Sequence, residues 1–287
     1  MLFSFAVESY QKIANRWVLL FFLITALFFG ATPLFADQST QKTFVIIIPS
    51  YNNRDWYEQN LSSVLSQNYQ NFRVIYVNDA STDTTGDLVE QYLRENDLDQ
   101  RVTLIQNKKR IGALANIYNS VWLCDPKEIV VTVDGDDWLY HSEVLHFLNE
   151  LYSNNAIWMT YGQFIEYPTK NLGGAAQIPH FVTELCGYRG YDWVSTHLRT
   201  FYAGLFQKIQ LEDFLHNGEF FPVAWDLAFM FPMLEMAGYH SQFVPDILYV
   251  YNVQTPFNDR KLHLDLQRSL DEIIRQKTRY CPILSPF

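Results

Sequence analysis

Residues 129–141, IVVTVDGDDWLYH, place three carboxylates directly after a short apolar run. The run Ile129–Val133 is rich in β-branched residues and predicts a buried strand. Asp134, Asp136 and Asp137 follow it, with a glycine between the first two. Like charges at the end of a core strand repel unless a cation or hydrogen-bond donors offset them. The stretch therefore predicts a divalent-cation site, or a loop in which Asp136 or Asp137 caps the next helix.

The chain before this stretch alternates apolar runs with helical patterns. Strands are predicted at Thr43–Ile48, Phe72–Val77 and Val102–Ile105, each followed by a segment with helical spacing. Strands that are apolar on both faces are typical of a sheet covered by helices on both sides. We therefore expect an α/β fold with a Rossmann-like, doubly wound, mostly parallel sheet. Neither GxGxxG nor GxxxxGK[ST] follows any of these strands, which disfavours a dinucleotide site or a P-loop.

Ligands of such sheets bind beyond the carboxyl ends of the strands. Tyr51, Asp79 and Asp134 each follow a different predicted strand, so the fold is expected to gather them at one edge. Further along, Ser142 is a candidate helix N-cap, and the predicted elements are a strand at Ala156–Gln163, a helix at Trp225–Ala237 kinked or restarted at Pro232, a strand at Ile247–Val253 and a helix at Leu262–Arg279.

The N-terminal region is predicted to be a separate piece with a hydrophobic helix. Trp17–Ala36 contains no charge over about 20 residues, the length that spans a bilayer core. Residues 1–36 are either a signal peptide or an uncleaved single-span anchor, and 37–42 form a polar linker. Lys12 and Arg16 favour an orientation with the main domain across the membrane. The protein is thus expected to be membrane-anchored, or secreted or lumenal after cleavage.

Composition excludes some classes of function. The chain has 287 residues, 48% of them hydrophobic and 16% aromatic, which supports a sizeable core. A formal net charge of −10 disfavours nucleic acid as a partner. It suits an anionic ligand that is bound through a metal or a few local cations. The three cysteines show no CxxC spacing, so neither a zinc site nor a disulfide framework is indicated.

Several motifs together resemble the family 2 glycosyltransferases, which have the GT-A fold. They occur in order between Thr43 and Val253, as VIIIPSYNN (45–53), VIYVNDASTDTT (74–85), RIGALAN (110–116), VDGDDWL (133–139) and WDLAFMFPMLEMAG (225–238). The resemblance implies a GT-A domain at 43–255. Its nucleotide-binding half would be 43–140 and its acceptor-binding half 141–255, and 256–287 would form a helical tail.

The resemblance also implies roles for individual residues in binding the nucleotide. These residues would contact the base, the ribose or the groups around a metal, and they are Pro49, Ser50, Tyr51, Asp79 and Asp134. The simpler alternatives are turn residues at 51 and 52 and a turn cap at Asp79.

The family pattern places the metal and the chemistry at two other aspartates. Asp136 would ligate Mn²⁺ or Mg²⁺, which bridges the diphosphate, because hard cations prefer carboxylate oxygens and substrate phosphates. Asp226 would be the general base, since a carboxylate among apolar residues can take a proton from an acceptor hydroxyl. A structural role at the helix N-terminus is the alternative for Asp226.

The expected function is that of a metal-dependent, inverting glycosyltransferase. Its partners would be a nucleotide-diphosphate sugar, with UDP expected as the nucleotide, and a hydroxyl of a carbohydrate, lipid or protein acceptor. A sugar-phosphate nucleotidyltransferase is one alternative, although PSYNNRD (49–55) lacks the glycine-rich loop such enzymes carry. A catalytically inactive carbohydrate-binding protein of the same fold is the other.

Other residues carry weaker signals. Arg199 could hold a diphosphate or an acidic acceptor, or form a surface ion pair. The basic run 108–110 is read as a solvated loop, with a phosphate contact as the lesser option. Three histidines are candidate third metal ligands and no spacing selects one: His180, His197 and His263. Four aromatics are candidates for a sugar-stacking wall or for the core: Trp138, Trp158, Tyr161 and Trp225.

Overall fold

Most of the chain is placed by the computed structural model, which describes residues 41–98, 100–255 and 264–287. The hydrophobic stretch Trp17–Ala36 and residues 37–40 of the linker lie outside these ranges, as does His263. Within the described ranges, no helix has both the length and the apolarity needed to cross a membrane.

Strands and helices alternate through the first half, as the sequence predicts. The strands are β1 (Phe44–Ser50), β2 (Phe72–Asn78), β3 (Val102–Gln106), β4 (Ile129–Thr132), β5 (Trp138–Leu139), β6 (Met159–Tyr167), β7 (Arg199–Tyr202), β8 (Leu215–His216), β9 (Glu219–Phe220) and β10 (Ser241–Asn252). The helices are α1 (Tyr57–Leu65), α2 (Thr85–Glu95), α3 (Ala113–Val121), α4 (Val144–Tyr152), α5 (His180–Glu184), α6 (Ala203–Gln207), α7 (Trp225–Ala237) and α8 (Leu264–Gln276).

One large sheet organises the described chain. Its eight strands run in the order β3-β2-β1-β4-β7-β6-β10-β5. β1 to β4 pair in parallel, and β10 pairs in parallel with β6. β7 and β5 run antiparallel to their neighbours. The expected mostly parallel α/β sheet is therefore confirmed, and both predicted halves of the domain contribute strands to it.

The core lies on both faces of this sheet. Every residue of β1 is buried, which explains why the strand is apolar on both faces. Leu61 and Val64 of α1 and Leu114 and Ile117 of α3 are fully buried. Burying an aliphatic side chain contributes about 1.5–3 kcal/mol, so this continuous core holds the strand ends firmly.

Strand β7 lies between β4 and β6 in the sheet. It therefore brings a distant part of the chain next to the carboxyl end of β4. Its register pairs Thr132 with Arg199. Because the pairing is antiparallel, the residues before Arg199 lie across from those that follow Thr132. His197 is thereby brought next to residues 134–137, which we call the acidic loop.

Helix α7 has the predicted bounds, Trp225–Ala237. It continues through Pro232 as one helix, so the alternative of a restart at Pro232 is wrong. Its N-cap residue is Ala224, with φ of 51°, and no side chain caps the helix. Asp226 thus lies in the first turn and is not the cap. The prediction that Ser142 is the N-cap of the next helix is wrong, because α4 begins at Val144 with Glu143 as its N-cap residue.

Buried hydrogen bonds connect α7 to α8 and to the residues that follow α8. Glu235 of α7 is fully buried and receives two hydrogen bonds from Arg189, of 2.6 and 2.9 Å. Arg189 also donates to the carbonyl of Ile274 in α8, and Glu235 accepts from the backbone N–H of Tyr280. This network joins α7, α8 and the segment after α8.

Candidate active site

A cleft of about 270 Å³ opens at the carboxyl ends of β1 and β4. The N-terminal ends of β7 and α7 and the end of β10 complete its walls. The lining residues are Pro49, Tyr51, Asn53, Arg110, Ala113, Asp134, Gly135, Asp136, Phe164, Trp193, Thr196, His197, Arg199, Ala224, Trp225, Asp226, Leu227, Tyr251, Thr255 and Gln267. Predicted site residues from four separate parts of the sequence therefore meet in one cavity.

The acidic loop is held very close to the end of β1. The N–H of Gly135 donates to the carbonyl of Pro49 over 3.1 Å. A Cβ at position 135 would lie 2.5 Å from Asn53 Nδ2 and 2.7 Å from Ser50 Cβ. Glycine is thus required here by close approach, and this approach places Asp134 and Asp136 on the cleft wall.

Asp137 does not line the cleft and is 1% exposed. Its Oδ2 accepts from the Tyr249 hydroxyl and its Oδ1 from the N–H of Asn252, both over 2.7 Å. Burial, with added repulsion from Asp136 and Asp134, raises the pKa of the Asp137 carboxyl well above its usual value. Neither Asp136 nor Asp137 caps a helix. The loop is a concentration of negative charge of the kind that a divalent cation would relieve.

A candidate cation site lies beside this loop. Oxygen and nitrogen atoms of Asp134, Asp137 and His197 all lie within 4.8 Å of one another. Two carboxylates suit Mg²⁺ or Mn²⁺, and an imidazole is a common additional ligand, so the donor set fits such an ion. His197 stacks on the Tyr249 ring at 4.5 Å, which fixes its plane.

The assignment of the metal to Asp136 stays a prediction. Asp136 lies on the same cleft but is not one of the three clustered residues. Of the two candidate histidines that the structure describes, His197 is the one the fold brings to the carboxylates. His180 lies on α5 in ring contact with Tyr239.

Asp226 faces the acidic loop across the cleft and is held by an arginine. Arg199 Nη2 donates to Asp226 Oδ2 over 2.6 Å, with the side chains 4% and 18% exposed. Asp226 is therefore not an isolated carboxylate among apolar residues. The reading of Arg199 as half of a surface ion pair is also wrong, because Arg199 is buried, Asp226 is partly buried and both line the cleft.

The predicted nucleotide contacts separate into two groups. Pro49, Tyr51 and Asp134 line the cleft. Ser50 and Asp79 are buried at the same edge and bind protein groups, and their contact with a nucleotide stays a prediction. Ser50 Oγ accepts from the Tyr76 hydroxyl over 2.8 Å and from Asn53 Nδ2 over 3.0 Å.

The carboxylate of Asp79 organises the loop before α3. It accepts from the N–H groups of Ile111 and Gly112 over 3.0 and 2.8 Å, and from Asn107 Nδ2 over 2.8 Å. Asp79 therefore braces the loop that carries Arg110, and its side chain is not the turn cap that was considered as the alternative.

Arg110 is a cleft residue that the sequence alone did not single out. Its guanidinium lies 4.0 Å from the centre of the Tyr51 ring. It belongs to the run read as a solvated loop, and its neighbours Lys108 and Lys109 do not line the cleft. Its position directly before the Gly112 turn, in the RIGALAN motif, was the available signal.

The aromatic wall differs from the expected one. Of the four candidates, Trp225 lines the cleft, whereas Trp158 and Tyr161 are buried. Trp138 stacks on Trp56 with ring centres 6.3 Å apart. The remaining aromatics of the cleft are Tyr51, Phe164, Trp193 and Tyr251.

The fold and this cleft define a class of protein, and the sequence comparison identifies it. The chain belongs to glycosyl transferase family 2, because residues 45–208, more than half of its length, match that family. TuaG of Bacillus subtilis, named for teichuronic acid biosynthesis, is 38% identical over 93 residues. That match covers 32% of this chain and 36% of TuaG, so it spans about a third of each protein.

Solved structures share the fold at low sequence identity. TarS of S. aureus, in a complex with UDP-GlcNAc, matches with a TM-score of 0.62 and 16% identity over 81% of this chain and 65% of the TarS chain. The mannosyltransferase PcManGT of Pyrobaculum calidifontis, in a complex with GDP-Man and Mn²⁺, matches with a TM-score of 0.56 and 18% identity over 90% of this chain and 70% of that one. Both are GT-A glycosyltransferases, which confirms the GT-A architecture expected for this chain.

Proposed function

We propose that this protein is a metal-dependent, inverting glycosyltransferase that moves a sugar from a nucleotide-diphosphate sugar to an acceptor hydroxyl. The observation that carries the proposal is the meeting of Asp134 and Asp136 with Asp226 across one cleft. A carboxylate-rich loop on one wall suits a cation and a diphosphate, and a single carboxylate opposite suits proton transfer.

Tyr51 and Arg110 form the part of the cleft best suited to the nucleotide. Tyr51 offers a flat ring, and Arg110 brings a cation to it at 4.0 Å. Arg110 has no carboxylate partner among the described residues. It is thus available to an anionic ligand. We propose UDP as the nucleotide, in line with the UDP-GlcNAc bound to TarS. The GDP-Man bound to PcManGT makes GDP the competing choice.

Mn²⁺ or Mg²⁺ is proposed as the cofactor. Asp134, Asp136, Asp137 and His197 are the residues that would hold it. When bound, the cation supplies charge neutralisation for the leaving diphosphate. The chain's own contribution is rigidity, because the close approach at Gly135 and the hydrogen bonds to Asp137 fix the acidic loop before any ligand arrives.

Asp226 is proposed as the general base. The acceptor hydroxyl would give its proton to the Asp226 carboxylate while its oxygen forms the bond to the anomeric carbon. The bond between that carbon and the diphosphate oxygen breaks, and the diphosphate leaves with the electron pair. One in-line displacement of this kind inverts the anomeric configuration. Arg199 keeps the carboxylate in place for this step.

A direct assay tests the proposal. Purified protein with Mn²⁺ is given a panel of UDP- and GDP-sugars, with and without a panel of glycan acceptors, and the released nucleoside diphosphate is measured. We expect release from a UDP-sugar that depends on Mn²⁺ and increases with an acceptor. Release of pyrophosphate would point to nucleotidyl transfer instead, and no release from any donor would favour a binding protein.

The base assignment has its own variant. Asp226→Asn keeps an oxygen for Arg199 but cannot take a proton, so turnover should fall by about 10²–10⁴-fold while the melting temperature stays near that of the wild type. A loss below about threefold would remove Asp226 from the chemistry.

The membrane assignment is proposed separately. Trp17–Ala36 would act as an anchor or as a cleaved export signal, and in the first case an acceptor in or near the membrane would be within reach. Reporter fusions on either side of this stretch, combined with membrane fractionation, distinguish the two and give the orientation.

A further inference from the structure

Arg199 lies between the candidate base and the candidate cation site. Its Nη2 donates to Asp226 Oδ2 over 2.6 Å, and its Nη1 lies 3.2 Å from Nδ1 of His197. The side chain is 4% exposed, and its Nε has no hydrogen-bond partner among the described residues. The guanidinium of Arg199 therefore has one buried N–H donor that forms no hydrogen bond with the described part of the chain. Buried donors in purely structural ion pairs are seldom left without a partner.

The contact with His197 fixes the state of the imidazole. A guanidinium can only donate hydrogen bonds, so Nδ1 of His197 must be the acceptor. A neutral imidazole then carries its proton on Nε2, and its single available lone pair on Nδ1 faces Arg199. A cation that binds His197 needs a nitrogen lone pair. Arg199 and the cation therefore compete for the same ring.

The contact with Asp226 fixes the carboxylate. Oδ2 is held by Arg199, while Oδ1 has no hydrogen-bond partner among the described residues. One held oxygen sets the plane of the carboxylate and leaves the other oxygen for a ligand. Loss of this contact would let Asp226 rotate about two side-chain bonds, and small misplacements of a reacting group reduce turnover strongly.

We propose that Arg199 is a positioning residue that couples the cation site at Asp134, Asp137 and His197 to the carboxylate of Asp226. The inference rests on the proposed function for the role of Asp226. A cation that takes His197 releases Nη1 of Arg199, and the guanidinium is then free to bind Asp226 alone. Without a cation, Arg199 is shared between the two. The pair thus orients Asp226 most firmly when the cation is in place.

The coupling predicts two effects of opposite sign. Replacing Arg199 with a neutral residue frees the lone pair of His197 and removes a positive charge next to the cation site, so Mn²⁺ should bind more tightly. The same replacement leaves Asp226 unheld, so turnover should fall. A residue that merely supported the fold would weaken both properties together.

The test uses Arg199→Gln in the full chain. Mn²⁺ binding is measured by electron paramagnetic resonance with no sugar present, and we expect about tenfold tighter binding than in the wild type. With an active donor, kcat should fall about 100-fold while the donor KM changes less than about threefold. Arg199→Lys keeps the charge and should show a smaller change in both. His197→Ala/Arg199→Gln should lose most of the tightening, because the competing ring is gone.

Arg73→Gln is the matched control. Arg73 forms a two-point ion pair with Glu128 of 2.8 and 3.2 Å at the start of β2, outside the cleft. Mn²⁺ affinity and kcat should stay within about twofold of the wild type in this variant.

The Mn²⁺ measurement alone decides the coupling. Unchanged or weaker Mn²⁺ binding in Arg199→Gln protein that melts cooperatively would overturn it, as would a wild-type protein that binds no Mn²⁺. If no donor in the panel reacts, the proposed function fails, but the change in Mn²⁺ affinity still tests whether Arg199 and the cation compete for His197.

Discussion

Two arginine–carboxylate pairs, each with a buried arginine, involve the same helix, α7, yet their surroundings differ. In the pair Arg189–Glu235, two parallel hydrogen bonds join the side chains, and the exposed fractions are 2% and 0%. The remaining groups are also used, since Arg189 donates to the carbonyl of Ile274 and Glu235 accepts from the N–H of Tyr280.

The pair Arg199–Asp226 is incomplete by comparison. One hydrogen bond joins the side chains, Arg199 Nε has no partner among the described residues, and Asp226 is 18% exposed on the cleft. A fully satisfied pair has nothing left for a ligand, whereas an under-satisfied one still has polar atoms to offer. The difference indicates that Glu235 has a structural role and that Asp226 is available for chemistry.

The largest expected effect follows from breaking the complete pair. Arg189→Ala leaves the Glu235 charge buried without its partner, and we expect a loss of about 3–5 kcal/mol in the free energy of unfolding, measured by urea denaturation. Arg73→Ala, in a partly exposed pair, is the control and should cost about 1 kcal/mol or less. Equal losses of stability in the two variants would mean that neither burial nor a complete set of hydrogen bonds makes Arg189–Glu235 more important for stability than Arg73–Glu128.

Sequence patterns predicted the structure most accurately in residues 43–140. β1, β2 and β4 are continuous apolar runs, and each ends at polar residues that the parallel sheet brings to one edge. The sequence also showed the glycine in the acidic loop, and the structure gives the reason for it, since position 135 has no room for a Cβ. These features depend on residues close in sequence and on the geometry of parallel strands.

The other wall of the cleft depends on long-range pairing that no local pattern encodes. His197 reaches the acidic loop only because β7 enters between β4 and β6 with Thr132 paired to Arg199. Arg199 forms its hydrogen bond with Asp226, which lies 27 residues further along the sequence. Composition and spacing also do not reveal the protein groups that Asp79 and Ser50 bind in the folded chain.

A second variant tests the acidic loop that faces the incomplete pair. Gly135→Ala would place a Cβ 2.5 Å from Asn53 Nδ2, and relief of this clash should cost about 1–3 kcal/mol of stability and weaken Mn²⁺ binding as the loop moves. Gly174→Ala is the control, because a Cβ there meets nothing within 4 Å. Wild-type Mn²⁺ affinity in Gly135→Ala would show that the loop is free to adjust.

The smallest expected effect is on the pH dependence of stability. The folded state raises the pKa of Asp137 above its usual 3.8, so the folded protein holds this proton more tightly than the unfolded chain. Stability without metal should therefore fall as pH rises from about 4 towards the raised pKa. Asp137→Asn removes this titration, and its stability in EDTA should fall less steeply over that window, by about 1 kcal/mol per pH unit.

The exposed Asp55 provides the comparison for this measurement. Its side chain is 75% exposed, so Asp55→Asn should leave the pH slope of the wild type unchanged. Identical slopes in the wild type and Asp137→Asn would show that the buried carboxyl does not hold its proton.

The hydrogen bond from Tyr280 to Glu235 also bears on how the protein is made. Synthesis is vectorial, and the strands β1 to β4 leave the ribosome well before residue 280. Because domains begin to fold as they emerge, the half that carries Asp134 can form early. The helix that carries Asp226 gains its hydrogen bonds from the N–H groups of Tyr280 and Ile283 only after these later residues have been made. The two walls of the cleft would then be assembled at different times, with the wall that carries Asp226 completed after the wall that carries Asp134.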